Sequence, residues 1–215
     1  KMMTVGGGTS SLKVKYETSP LDGIKARFGK NAEVNYARGY VGDVGGEYNG
    51  VKTGKDLTDK RSPAELTKEA VELAKKSDFV IFVGGLNKSD FQDSEGNDRK
   101  ELGLPYNQNE LISALAKANK NFAVLMVSGN AVAMPWVKEV PSIVQAWYLG
   151  SESGNAIASI LAGDANPSGK LPFTFPVKLE DNAAHAVGEY PGNKEELALG
   201  KGKDQQNPIN ITYNE

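Results

Sequence analysis

The stretch from Leu86 to Gly103 holds the side chains best suited to acid–base chemistry. Asp90, Asp93, Glu95 and Asp98 are interleaved there with Asn87, Lys88, Ser89, Arg99 and Lys100. A carboxyl group on such a loop can act as a general acid or base. The same composition also suits a solvated acidic loop, or a site for a divalent cation. It lacks the spacing of an EF-hand, so dedicated calcium binding is a poor match. A second candidate is Gly6-Gly7-Gly8-Thr9-Ser10-Ser11. A glycine loop can cradle phosphate with its backbone N–H groups. This one matches neither the dinucleotide fingerprint nor the P-loop. The alternative is a tight turn whose small side chains let a substrate approach the backbone.

Loops of this kind need strands to carry them. Phe79–Val83 (FVIFV) and Phe122–Val127 (FAVLMV) are continuous apolar runs, the pattern of strands buried on both faces of a parallel sheet. Pro141–Trp147 is strand-like, and Ala32–Tyr36 alternates like a strand. Helices are predicted over Pro20–Phe28, capped by Ser19; from Ser62-Pro63-Ala64-Glu65, a capping box with proline at the first turn, to about Lys76; over Tyr106–Asn119; and over Asn155–Leu161. Leu171–Phe175 reads as a final edge strand, because its prolines suit an edge. Residues 39–60 read as a long surface loop. Alternating strands and helices with short connections give a doubly wound α/β fold. Ligands of such sheets sit beyond the carboxyl ends of the strands. That rule selects Gly6–Ser11, Leu86–Gly103 and Gly129–Pro135. A glycine turn at the very front implies a strand upstream of residue 1, and Lys1-Met2-Met3 looks like an interior cut.

Composition excludes several classes. The chain has no cysteine, so disulfides, thiolate catalysis and Cys-based metal sites are ruled out. Its single histidine, His185, is a poor basis for a metal site or a Ser-His-Asp triad. With 25 basic and 27 acidic residues there is no electrostatic footprint for nucleic acid or an anionic membrane. No apolar run reaches the roughly 18 residues that span a bilayer.

Several ordered motifs then carry a resemblance. Ser94-Glu95-Gly96-Asn97-Asp98-Arg99 is followed by Leu102-Gly103-Leu104-Pro105 and Gln108-Asn109-Glu110-Leu111-Ile112. Further on stand Val127-Ser128-Gly129-Asn130-Ala131-Val132, Gln145-Ala146-Trp147-Tyr148-Leu149-Gly150 and Gly163-Asp164-Ala165-Asn166-Pro167-Ser168-Gly169-Lys170-Leu171-Pro172. Over about residues 2–176 the chain resembles the second domain of family 3 glycoside hydrolases. The resemblance implies a three-layer α/β/α sandwich with a mostly parallel, flavodoxin-like sheet that lacks its first strand. It implies a domain over 1–176 and a polar tail over 177–215 leading toward a fibronectin-III-like domain.

The resemblance also implies a retaining, exo-acting enzyme of β-glucosidase type, acting on β-linked oligosaccharides or glucosides, with β-xylosidase as an alternative. Glu95 is then the general acid/base. The nucleophilic aspartate lies on the enzyme's own N-terminal barrel, so the chain alone is expected to be inactive. Asp98 and Arg99 are expected to pair and brace the loop. Ser10 and Ser11 are expected to line the substrate site. Trp136 and Trp147 read as core packing, and Asn155, Asn166 and Pro167 as turn and cap residues. No cofactor, metal, nucleic acid or membrane is implied, and the compartment is periplasmic or secreted. Two other readings stay open on the residues: a flavodoxin-like small-molecule-binding module, and a structural domain with a vestigial Glu95.

Overall fold

The computed structural model describes residues 14–42, 47–48, 51–52, 58–89, 91–95 and 99–186. The chain divides into two units, Lys1–Pro172 and Phe173–Glu215. In the first, helix α1 (Pro20–Phe28) begins where Ser19 Oγ accepts from Asp22 N–H at 3.1 Å, with proline in its first turn. Helix α2 (Pro63–Lys75) starts at a full capping box. Ser62 Oγ takes the Glu65 N–H at 3.2 Å and the Glu65 carboxylate takes the Ser62 N–H at 2.7 Å. These bonds satisfy donors that a helix start otherwise leaves open. In the second unit, a single turn of 3-10 helix at Leu179–Asp181 precedes a short helix at Ala183–Ala186.

Three parallel strands form the centre: β3 (Val80–Gly85), β4 (Phe122–Val127) and β5 (Ser142–Gln145), in the order β3-β4-β5. Register pairs Val80 with Phe122 and Val124 with Ile143. β4 lies in the middle and is buried along almost its whole length, as its unbroken apolar sequence requires. Alternate residues face opposite ways. Ile81, Val83, Leu125, Val127, Val144 and Ala146 pack on Ile157 and Leu161 of helix α4 (Ser153–Leu161). On the other face Gly84 lies against Gln108 of helix α3 (Gln108–Ala118), which packs on β3 and β4 and against α2. Helices on both faces of a parallel sheet make the three expected layers.

Helices α1 and α4 meet closer than side chains allow. A Cβ on Gly154 would stand 2.0 Å from the Ser19 carbonyl oxygen, and one on Gly23 would stand 2.1 Å from that of Gly154. The approach is fixed by main-chain bonds, Thr18 N to Ser151 O at 2.8 Å and Gly154 N to Thr18 O at 2.9 Å. At the far end Arg27 grips Asp164 through two bonds of 2.6 Å. Both atoms in the glycine contact belong to backbone, so neither helix can yield locally. Gly154→Ala is therefore expected to cost about 3 kcal/mol. Thermal unfolding should show it as a fall of roughly 6–12 °C in Tm.

Three expectations differ from the structure. Ala32–Tyr36 runs without a ladder partner among the described residues, and Glu33, Asn35 and Tyr36 are exposed. Alternation alone does not make a strand when no neighbour offers hydrogen bonds. Leu171–Phe175 is likewise not a strand; it is largely exposed and stands between helix α4 and the 3-10 turn. Within the supposed loop 39–60, β1 (Glu47–Tyr48) and β2 (Val51–Lys52) pair antiparallel, Tyr48 opposite Val51. The intervening Asn49-Gly50 is the dipeptide most suited to a two-residue hairpin connection.

Candidate active site

The carboxyl ends of β3, β4 and β5 open into three connections, 86–107, 128–141 and 146–152. The first is set at its root by a fully buried amide. Gln108 Oε1 accepts from Gly85 N–H at 2.8 Å, and its Nε2 donates to Gly85 O at 2.9 Å and Pro105 O at 3.0 Å. Gly85, at φ 137°, lies in a region that side chains rarely enter. The chain then folds on itself. Asp93 N–H donates to Asn87 O at 2.9 Å, Asn87 N–H to Gln92 Oε1 at 3.0 Å, and Gln92 Nε2 to the Tyr106 hydroxyl at 2.8 Å.

Asp93 ties this connection to the other two. Its Oδ2 accepts from Gly129 N–H at 2.6 Å and from the Tyr148 hydroxyl at 2.5 Å, and its Oδ1 accepts from Asn130 Nδ2 at 2.7 Å. Asp93 as a residue is only 9% exposed. Burial, then the neighbouring Asp93 charge, push the Tyr148 phenol far above its ordinary pKa, so it stays a donor. The 128–131 loop is also held from below: Gln145 Nε2 donates to Ser128 O at 2.9 Å and Ser128 Oγ at 3.0 Å. Ser128 Oγ in turn donates to Asn130 O at 2.9 Å.

Glu95 follows Asp93 by two residues and is solvent-exposed. It sits where the topology rule places ligands. Arg99 Nη2 donates to the Ala131 carbonyl at 2.5 Å. Burial lowers the Arg99 pKa, and the Asp93 charge opposes that shift. Asp98, its expected partner, lies outside the described residues, as do Ser10 and Ser11. Arg99 Nη1 and Ser94 Oγ are buried with no hydrogen-bond partner among the described residues. Lys100 Nζ lies 4.8 Å from the ring centroid of the exposed Phe91. Among the described residues no three His, Cys, Asp or Glu side chains gather to hold a metal ion. None of the helices among the described residues is long and apolar enough to cross a membrane.

The two tryptophans part company. Trp136 is fully buried, with Nε1 donating to Asn109 Oδ1 at 2.8 Å, the core role expected of it. Trp147 is only half-buried and has φ 54°. It is not enclosed to the degree that Trp136 is. It sits at the outlet of β5 with a left-handed backbone that a bulky side chain seldom adopts. Phe91 (φ 62°) and Tyr106 (φ 64°) share that conformation in the connection after β3. Strained backbone of this kind gathers at functional sites.

Sequence reasoning passed over Asp93, Asn130 and Tyr148 as site residues. Asp93 was visible as one carboxylate among four. Nothing in the spacing says which of them turns inward, since that depends on donors contributed by two later loops.

The family described as Glycosyl hydrolase family 3 C-terminal domain matches residues 1–215. Beta-glucosidase BoGH3A of Bacteroides ovatus is 53% identical over 206 residues, covering 92% of this chain and 27% of its own. Beta-glucosidase B of Emericella nidulans is 42% identical over 161 residues, 74% of this chain and 18% of its own. Among solved structures, the GH3 beta-glucosidase of Bifidobacterium adolescentis matches with a TM-score of 0.69 at 32% identity, over 87% of this chain and 25% of that one. The chain thus spans about a quarter, or less, of the length of these relatives.

Proposed function

The chain belongs to the C-terminal domain of glycosyl hydrolase family 3, and from that premise we propose that it supplies the general acid/base of a retaining β-glucosidase. The observation that carries the proposal is the placement of Glu95: exposed, beyond the carboxyl end of β3, on a loop anchored two residues earlier by Asp93. The glucoside preference rests on the relatives, whose names are those of β-glucosidases. A periplasmic or secreted location belongs to the same proposal.

Retaining hydrolysis uses two carboxyl groups about 5–5.5 Å apart. One attacks the anomeric carbon while the other protonates the departing oxygen. The second then takes a proton from water as the glycosyl-enzyme is hydrolysed. Glu95 takes this second role, and an aspartate on a barrel domain takes the first. An acid of this kind must hold its proton near the working pH. An exposed carboxyl group does not. Covering by the barrel, and the charge of the nucleophile close by, would raise the Glu95 pKa on docking. Arg99, through Ala131, keeps the loop's far side in place. Ser10 and Ser11 would line the substrate site from the front of the chain.

A direct test compares the isolated chain with the same chain joined to its barrel, using an aryl β-glucoside. The joined protein should turn over, and the isolated chain should not. Glu95-dependent turnover by the isolated chain would overturn the division of roles. Tight binding of flavin or nucleotide by the chain, with no hydrolysis by the joined protein, would favour a small-molecule-binding module instead.

A further inference from the structure

Resting on the reading of Glu95 as acid/base, we infer that Asp93 is a positioning residue, a buried clamp that fixes the backbone from which Glu95 reaches the glycosidic oxygen. Asp93 itself is too buried to meet a substrate. Its three donors come from the ends of the other two strands: Gly129 N–H and Asn130 Nδ2 after β4, and the Tyr148 hydroxyl after β5. The connection is thereby pinned at Asp93, ahead of the bonds that Arg99 and Leu102 make to the 131–133 segment further along. Two residues of extended chain reach at most about 7 Å, so the clamp bounds how far the Glu95 backbone can stray.

The donors are themselves fixed. Ser128, Gln145 and the 128–131 main chain form one bonded set, and Arg99 adds a bond to Ala131 O. The Tyr148 phenol, partly buried and beside a carboxylate, holds its proton and continues to donate. All members of this set belong to the domain itself. The clamp at Asp93 is therefore formed before any barrel covers the loop. Geometry of this precision matters, because a misplacement of about 1 Å can cost about 10²-fold in rate.

The test uses the full-length enzyme and two substrates that differ in their need for a proton. An alkyl β-glucoside needs general-acid help to leave; a dinitrophenyl β-glucoside barely does. kcat/KM reports the first bond cleavage for both. Asp93→Ala is expected to lower kcat/KM for the alkyl substrate about 10²-fold, and for the activated one by no more than about threefold. Tyr148→Phe, which removes one of the donors and threatens folding less, should show the same asymmetry at smaller size. Asp93→Asn should recover most of the loss, because its amide keeps the bonds once the Asn130 side chain flips. Equal losses on both substrates, or none, in folded Asp93→Ala and Tyr148→Phe would overturn the inference while leaving Glu95 in its role. If Glu95→Ala itself showed no such asymmetry, the acid/base reading would fail, and the clamp with it.

Discussion

With alanine in place of Glu95, the full-length enzyme loses about 10²–10⁴-fold in kcat/KM on an alkyl β-glucoside. On a dinitrophenyl β-glucoside the same parameter falls far less, because that leaving group departs without a proton. kcat on the activated substrate drops nonetheless, since water attacking the glycosyl-enzyme now lacks a base. The limiting step moves from forming the intermediate to breaking it, and a burst of dinitrophenol should precede a slow steady state. Steady-state and stopped-flow absorbance at several enzyme concentrations measure both effects. A uniform loss on both substrates, with no burst, would assign Glu95 a binding or structural part instead.

Trp136→Ala should produce the largest loss of stability of any single change in the core. The indole is fully buried, and its Nε1 bond to Asn109 Oδ1 joins the β4–β5 connection to helix α3. Truncation removes the apolar burial, leaves a cavity and strands the Asn109 oxygen. The expected cost is about 3–5 kcal/mol. That is a large part of the roughly 5–15 kcal/mol that holds a domain together. Thermal melts should show a fall of roughly 6–20 °C in Tm. Trp136→Phe keeps most of the buried area and loses the hydrogen bond, so it should fall between wild type and alanine. A Tm within about 2 °C of wild type for Trp136→Ala would mean that the core there can close over the gap.

Local rules made much of this fold legible. Ser62 with Glu65, and Ser19 with Pro20, announce their helices because the capping bonds lie within four residues of sequence. FAVLMV announces a buried strand because a parallel sheet is apolar on both faces. The boundary of α2 and both ends of β4 follow from these signals alone. What failed was non-local. Ala32–Tyr36 has the alternation of a strand, yet a strand exists only through a neighbour's hydrogen bonds, and none of the described strands lies beside it. The hairpin of β1 and β2 carried its own signal in Asn49-Gly50, which was lost among the glycines around it.

The site divides along the same line. Glu95 stands out through the motif around it, and its exposure suits a group that must meet a substrate. Asp93 does not stand out. Its burial is decided by Gly129, Asn130 and Tyr148, up to 55 positions away in sequence. Trp147 was expected in the core because large apolar residues usually go there. It is partly buried, with a left-handed backbone at the outlet of β5.

Azide offers the most direct measurement of the acid/base role. It is a nucleophile that needs no base, so it can break the glycosyl-enzyme of a Glu95→Ala variant where water cannot. Full-length Glu95→Ala turning over dinitrophenyl β-glucoside in azide should speed up with azide concentration and release β-glucosyl azide, identifiable by the anomeric proton coupling in its NMR spectrum. An unchanged rate with glucose as the sole sugar product would contradict a proton-transferring Glu95.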